Sequence, residues 1–202
     1  MAEDRDWHFD RDEQRRLKLQ KMLKVAAECF NEKGFSGTSL KDVARKLSIT
    51  DAALYYYVKN KEELVNLCYI HAVNLAESAF DRASEEGDNP LAILQLYIRN
   101  QINEFCGPEG PITILSEIPA LTPDHRDLMK KRTAKHAKRI TALIEAGVAD
   151  GSMTSSNPVA AGDALMGALN WIPKWYRPNS LLSGEEIANS FIETFTQGLK
   201  AR

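Results

Sequence analysis

The fold of this 202-residue chain is indicated most clearly by residues 30–65, FNEKGFSGTSLKDVARKLSITDAALYYYVKNKEELV. Thr38 or Ser39 can start a short helix with apolar residues three and four positions apart, and Thr50 can cap a second one, from about Asp51 to Tyr57. A turn of about three residues separates the two helices. This layout predicts a helix-turn-helix, in which the second helix is the one that can enter the major groove of DNA.

Basic charge is concentrated around this stretch. The whole chain has a net charge of −2, but residues 11–61 carry 12 Lys and Arg against 6 Asp and Glu. A local excess of this size attracts polyanions even when the protein as a whole is nearly neutral. The charge distribution therefore leaves nucleic acid open as a partner.

Three consecutive tyrosines, Tyr55, Tyr56 and Tyr57, fall on the predicted second helix. Consecutive helical residues point about 100° apart, so at least two of the three phenols must face outward. Exposed phenols beside Lys59 and Lys61 can donate hydrogen bonds to phosphate oxygens. The alternative is a solvated polar face with one tyrosine in the core.

The rest of the chain also reads as helical. Apolar residues recur at helical spacing nearly everywhere and no period-two alternation appears, so we predict an all-α fold of about nine helices. Outside the helix-turn-helix, the predicted helices are Asp10 to Gly34, Asn60 to about Glu86, Pro90 to Phe105, Ile112 to Ile118, Asp124 to Asp150, one starting at Asn157-Pro158, and Ser183 to near Leu199.

Other classes of protein find little support in the sequence. No run approaches the ~18 apolar residues of a membrane span, and the N-terminus is too charged for a signal peptide, so we expect a cytoplasmic protein. Cys29, Cys68 and Cys106 suggest neither a disulfide framework nor a zinc site. There is no G-x-S-x-G, phosphate-binding glycine loop or HExxH motif, so we expect no enzyme, no cofactor and no metal.

Residues 15–65 resemble the DNA-binding domain of the tetracycline-repressor (TetR) family. The resemblance rests on Phe30, Gly34-Phe35, Thr38, Val43-Ala44, Ile49, Leu54-Tyr55 and Lys61-Glu62-Glu63-Leu64. It implies that the residues approaching bases or nearby backbone are Lys41, Thr50, Ala52, Ala53 and Tyr55, and that the residues holding phosphates are Tyr56, Tyr57 and Lys61. Two positions depart from the pattern: Tyr57 stands where His is common, and Asp51 where a basic or neutral residue is usual.

The resemblance further implies a ligand-responsive repressor with a DNA-binding domain at 1–65 and a ligand-binding and dimerisation domain at 66–202. Such a protein binds a palindromic operator in double-stranded DNA as a homodimer. Residues 170–199 are similar to a subgroup that includes regulators of lipid and steroid catabolism, some of which respond to acyl-CoA thioesters. We therefore expect a small apolar effector, and the fourth helix is the only predicted element long enough to join the two domains.

Two sets of residues are expected to serve these roles. The effector cavity is predicted to be lined by Leu94, Tyr97, Ile98, Phe105, Ile114, Leu115, Trp171 and Trp175. The dimer interface is predicted to contain Gly162, Leu165, Ile187, Phe191, Ile192 and Phe195.

Several alternatives remain at this point. Aromatic residues at such spacing are more often core than cavity lining, and an apolar terminal helix also suits the core of a monomer. The basic run at 130–139 is either a solvated helix face or a surface for an anionic part of a ligand. A helical protein-interaction or small-molecule-binding protein without specific DNA binding is the competing function.

Overall fold

The computed structural model describes residues 4–107, 121–177 and 180–198, and within those ranges it contains eight α-helices and no strand. The helices are α1 (Asp4–Gly37), α2 (Leu40–Lys46), α3 (Asp51–Tyr55), α4 (Lys61–Glu86), α5 (Pro90–Cys106), α6 (Pro123–Asp150), α7 (Pro158–Trp175) and α8 (Gly184–Gln197). The predicted all-α class is confirmed. In the described part of the chain, no helix combines the length and apolar character needed to cross a bilayer.

Side-chain caps explain why most predicted helix starts agree with the structure. The Thr50 side chain accepts a hydrogen bond from the Ala53 N–H at the start of α3, and Asn60 caps α4 in the same way. Ser183 and Glu186 form the predicted capping box of α8. Gly151, with φ of 79°, ends α6 in the left-handed conformation that glycine adopts without strain.

Three predicted boundaries differ from the structure. α1 begins at Asp4 and not at Asp10, because the charged N-terminal segment contains no proline or glycine to stop the helix. Gly34 (φ 71°, ψ 173°) interrupts α1 where an end was predicted, but helical turns continue to Gly37. α3 ends at Tyr55, two residues early, and the predicted helix at 112–118 lies outside the described residues.

Two buried apolar clusters organise the chain, and α4 contributes to both. Its first half supplies Leu64, Val65 and Cys68 to a cluster with α1, α2 and α3. Its second half supplies Phe80 and Ala83 to a cluster with α5, α6, α7 and α8. One continuous helix therefore carries the packing of both ends of the protein.

The structure corrects the prediction that only the fourth helix joins the two ends. Leu121, just before α6, and Met129 on α6 are each 3% exposed and belong to the cluster of the helix-turn-helix. Ile140 and Ile144, further along α6, belong to the other cluster. A helix of 28 residues spans about 42 Å, so α6 is also long enough to connect both cores.

Candidate DNA interface and internal cavity

The helix-turn-helix is fixed by burial on its inner side. Val43 and Ala44 of α2 and Leu54 of α3 are at most 1% exposed. Between the helices, Ser48 adopts φ of 57°, a left-handed conformation that turns the chain sharply. Because the inner faces of α2 and α3 pack together, the outer face of α3 is held in a defined orientation.

The outer face of α3 carries phenols. Tyr55 is 55% exposed and Tyr56 is 72% exposed, so at least two of the three tyrosines face outward, as predicted. Tyr57 is half-buried, and its ring packs edge-on against Tyr56 with 5.1 Å between ring centroids. The two exposed hydroxyl groups are available as hydrogen-bond donors.

The remaining residues predicted to approach bases lie around the start of α3. Lys41 on α2 and Ala52 are exposed, and Ala53 is half-buried. Thr50 is exposed but its Oγ1 accepts from the Ala53 N–H at 3.2 Å, so its first role is to cap the helix. Asp51 lies in the first turn of α3, where the helix dipole favours a carboxylate.

Lys61 is engaged within the protein. Its Nζ donates hydrogen bonds to the carbonyl oxygens of Phe35 at 2.6 Å and Thr38 at 2.9 Å, and lies 4.0 Å from the centroid of the Phe35 ring. An ammonium group has three N–H donors, so one remains for a phosphate. The predicted phosphate-binding residue is therefore first a link between α4 and the segment before α2.

Other cations of the basic block are more accessible. Lys41 and Lys59 are exposed and form no ion pair with the described residues. Arg45 pairs with Asp42 at 3.3 Å, and Lys46 pairs with Glu28 at 3.1 Å. Lys41 and Lys59 are thus the lysines of this surface whose charge is least compensated.

A cavity of about 850 Å³, including its opening, lies between α4, α5, α6 and α7. It is lined by Tyr69, Ala72, Val73, Ala76, Tyr97, Gln101, Phe105, Arg126, Met129, Lys130, Thr133, His136, Met166, Leu169 and Asn170. Most of the wall is apolar, and a few polar side chains converge on it, which is the usual composition of a small-molecule site.

Only some of the residues that were predicted to line the effector cavity do so in the structure. Tyr97 and Phe105 line the cavity, Ile98 is buried in the adjacent core, and Leu94 lines a second pocket of about 530 Å³ including its opening. Trp171 and Trp175 lie outside the lining residues and are 63% and 43% exposed. They point away because the inward face of α7 is occupied by Leu165, Leu169 and Ile172. Ile114 and Leu115 lie outside the described residues.

The sequence interpretation missed the wall that α6 contributes, together with Gln101 of α5. One signal was available for Gln101: it follows Tyr97 by four residues and precedes Phe105 by four, and so is a polar residue on an apolar helical stripe. No comparable signal marked α6, because its basic residues obscured the buried positions between them.

A neutral polar pair lies in the cavity wall. The Tyr97 hydroxyl is 3.0 Å from Nε2 of His136, and both residues are at least 96% buried. Burial and the positive charge of Arg139 lower the pKa of His136, although Glu77 and Asp81 act in the opposite direction. Burial also raises the pKa of the Tyr97 phenol, so the pair is uncharged near neutral pH.

The basic run at 130–139 divides between three environments. Lys131, Lys135 and Lys138 are exposed, as in a solvated helix face. Arg132 pairs with Glu77 of α4 at 2.6 Å, and Arg139 pairs with Asp81 and lies over the Phe80 ring. Lys130 lines the cavity together with Arg126, which places positive charge beside it.

The predicted dimer residues divide in a similar way. Gly162, Leu165 and Ile187 are buried within the protomer, so they have almost no surface left for a partner. Gly162 faces α6 within the protomer, where a Cβ would lie 3.4 Å from Thr141 Oγ1, at ordinary contact distance. Phe191, Ile192 and Phe195 of α8 are half-buried and pack against the apolar cluster that α4 forms with α5, α6, α7 and α8.

Two known protein families match the chain, one in its N-terminal part and one in its C-terminal part. Residues 22–68 match the family of bacterial regulatory proteins named tetR, and residues 87–199 match the family named tetracyclin repressor-like, C-terminal domain. Both families consist of regulators of transcription, as do the named relatives. The protein belongs to the TetR family.

Individual relatives extend the comparison. The HTH-type transcriptional repressor KstR2 of Mycolicibacterium smegmatis is 22% identical over 186 residues, which cover 88% of each chain. The TetR family regulator PfmR of Thermus thermophilus has 28% identity and a TM-score of 0.78, covering 89% of this chain and 99% of its own. AibR, solved in complex with isovaleryl coenzyme A and operator DNA, has 25% identity and a TM-score of 0.73, covering 87% and 96%.

The lowered pKa of His136 predicts a pH-dependent stability. Below about pH 6.5, the ordinary pKa of histidine, the unfolded chain takes up a proton that folded His136 resists. The free energy of unfolding should therefore fall as the pH drops from about 6.5 to the lower pKa of folded His136. Urea denaturation at several pH values measures this slope. The slope should be shallower in His136→Phe, and an unchanged slope would contradict the assignment.

Proposed function

We propose that this protein is a homodimeric repressor that binds a palindromic operator and is released from it by a small apolar effector, such as an acyl-CoA thioester. The observation that carries the proposal is the combination, in one TetR-family chain, of an exposed recognition helix and an apolar cavity whose wall includes Met129 of the helix-turn-helix cluster. Similarity to AibR, which was solved with an acyl-CoA and operator DNA, supports the ligand class.

The DNA surface is assigned from exposure and charge. Tyr55 and Tyr56 present their hydroxyl groups on α3, and Lys41 and Lys59 add positive charge on either side. We assign base reading to Tyr55 and backbone contact to Tyr56, as the family resemblance implies, and the exposure of both phenols supports this assignment.

The dimer surface is assigned to the outward face of α7 rather than to the residues that are buried in the protomer. Exposed apolar and small residues recur there three and four positions apart: Ala160, Ala164, Gly167, Trp171 and Trp175. A Cβ on Gly167 would meet nothing within 4 Å in the protomer, so another helix can approach closely at that point. An apolar stripe of this kind on a protein surface usually marks an interface.

The release of DNA requires that the effector bind one arrangement of the two recognition helices better than the other. Met129 provides a route, because it lines the cavity and is also packed in the cluster that supports α3. Ala72, Val73 and Ala76 of α4 line the same cavity, and α4 continues to the helix-turn-helix. A ligand between α4 and α6 therefore pushes on both connections.

Two conservative variants separate base reading from backbone contact. Tyr55→Phe should weaken binding to a duplex selected from a random pool by ~1–3 kcal/mol and weaken random DNA much less. Tyr56→Phe should weaken both duplexes by similar factors, because phosphates are the same in every sequence. Fluorescence anisotropy at several salt concentrations measures both. The reverse pattern would show that the two roles are exchanged.

The dimer assignment predicts that Trp171→Glu shifts the protein to monomers. Placing a carboxylate in the centre of an apolar interface leaves a buried unpaired charge, so the dimer dissociation constant should rise at least tenfold. Native mass spectrometry and sedimentation measure the change. Leu128→Glu, at a 47% exposed leucine of α6, is the matched control and should remain dimeric. Dimerisation of the Trp171 variant at wild-type strength would refute this interface.

Filling the cavity should uncouple the effector from DNA. Ala76→Phe places a ring in the cavity and should abolish release by the effector, measured relative to the operator affinity of the same variant without effector. Ala134→Phe, at an exposed alanine of α6, is the control. The measurement is the release of labelled operator on titration with acyl-CoA thioesters, free fatty acids and unrelated aromatic drugs. Release by the aromatic drugs alone would contradict the lipid assignment.

A further inference from the structure

The wall of the cavity contains polar atoms that the described part of the chain does not satisfy. Gln101 is 3% exposed and its Oε1 has no hydrogen-bond partner there. Nδ1 of His136, which is 4% exposed, is in the same situation. Both residues line the cavity. Leaving a buried polar group unpaired typically costs about 1–3 kcal/mol, so a ligand group that pairs with these atoms would be bound more tightly than one that does not.

Both residues are related to Tyr97. Gln101 follows Tyr97 by one helical turn on α5, which places their side chains on the same face about 5–6 Å apart at Cβ. The Tyr97 hydroxyl in turn contacts Nε2 of His136 across the cavity wall. A short polar patch, formed by Tyr97, Gln101 and His136, therefore lies in a wall whose other residues are mostly Ala, Val, Met, Leu and Phe, together with the polar Tyr69, Arg126, Lys130, Thr133 and Asn170.

The chemistry of this polar patch selects a neutral group that both donates and accepts. The Gln101 oxygen requires a donor, and Nδ1 of the neutral histidine is a donor or an acceptor according to the direction of the Tyr97–His136 hydrogen bond. When the Tyr97 hydroxyl donates to Nε2, Nδ1 carries the proton, and one hydroxyl group of a ligand can then accept from Nδ1–H while donating to the Gln101 oxygen. A carboxylate only accepts, and placing its charge among buried neutral groups would carry a large desolvation penalty.

Positive charge lies elsewhere in the cavity wall. Lys130 and Arg126 precede His136 on α6 by six and ten residues, which corresponds to roughly 9 Å and 15 Å along the helix axis. An anionic group on the ligand would therefore lie toward the start of α6, and a neutral polar group toward His136. The cavity is suited to a molecule with an anionic end, an apolar body and a distant hydroxyl.

We propose that the effector carries a neutral hydroxyl group on its apolar body, and that Gln101 and His136 of the polar patch bind it. This inference rests on the proposed function, because it specifies the ligand of the same cavity. It adds a selectivity that an apolar cavity alone does not have. Plain hydrocarbon chains fill the cavity but leave the polar patch unpaired, whereas hydroxylated chains of the same length satisfy it.

The test compares ω-hydroxy fatty acids with the plain fatty acids of the same chain lengths, by isothermal titration calorimetry on the full-length protein. The best hydroxylated member should bind about tenfold more tightly than its plain counterpart, the gain expected from about 1.4 kcal/mol of new hydrogen bonding. Gln101→Leu should abolish that preference while still binding the plain acid. Gln95→Leu, a half-buried glutamine of α5 outside the cavity lining, is the matched control and should retain the preference.

The outcomes separate the two proposals. If wild-type protein binds both members of each pair equally, the hydroxyl proposal fails while the cavity function stands. If it binds neither the acids nor their coenzyme A thioesters, both proposals fail. Gln101→Leu should also unfold at an equal or higher temperature than wild type, because it removes an unpaired buried amide. If it fails to fold, the longer and more flexible Gln101→Met takes its place, and a preference that survives in that variant refutes the proposal.

Discussion

The packing of α4 into both apolar clusters is the constraint on which the rest of the structure depends. Leu64, Val65 and Cys68 are fully buried at one end of the helix, and Ala79 and Ala83 are fully buried at the other. Since protein interiors are close-packed, neither end can move without disturbing the residues packed against it. α4 is therefore a packed connection between the cavity and the helix-turn-helix, and not a loose linker between them.

α6 is a second helix that, like α4, contributes to both apolar clusters. Arg132 bonds to Glu77 and Asn74 of α4, and Arg139 bonds to Asp81, so polar contacts fix α6 along the outer side of α4. Exposed ion pairs contribute little to stability, but these set the relative position of the two helices. Between them the cavity wall is formed by small side chains of α4 and by Met129 of α6. The cavity therefore lies between the two helices that both contribute to the helix-turn-helix cluster.

The sequence predicts the helices well and the cavity poorly, for a physical reason. Helix ends are set by local signals, such as Thr50, Asn60 and the Ser183 capping box, and these are visible in the chain. Which face of a helix turns inward depends on its neighbours. α7 is apolar on nearly all sides, so its periodicity could not show that Trp171 faces outward while Leu165 faces inward. In the same way, the sequence could not show that His136 is buried, because it lies within a run of lysines and arginines and its burial depends on the neighbouring helices.

The family resemblance implies that Lys61 binds a phosphate, but in the structure its ammonium group is bound within the protein. Its ammonium group is held by two carbonyl oxygens, those of Phe35 and Thr38, and by the Phe35 ring. Thr38 itself bonds through Oγ1 to the carbonyls of Cys29 and Gly34, so the start of α4 is tied to the end of α1 and to the segment that precedes α2. The first turn of α4 is therefore attached to α1 and to the segment before α2 through hydrogen bonds, and to α2 and α3 through apolar packing.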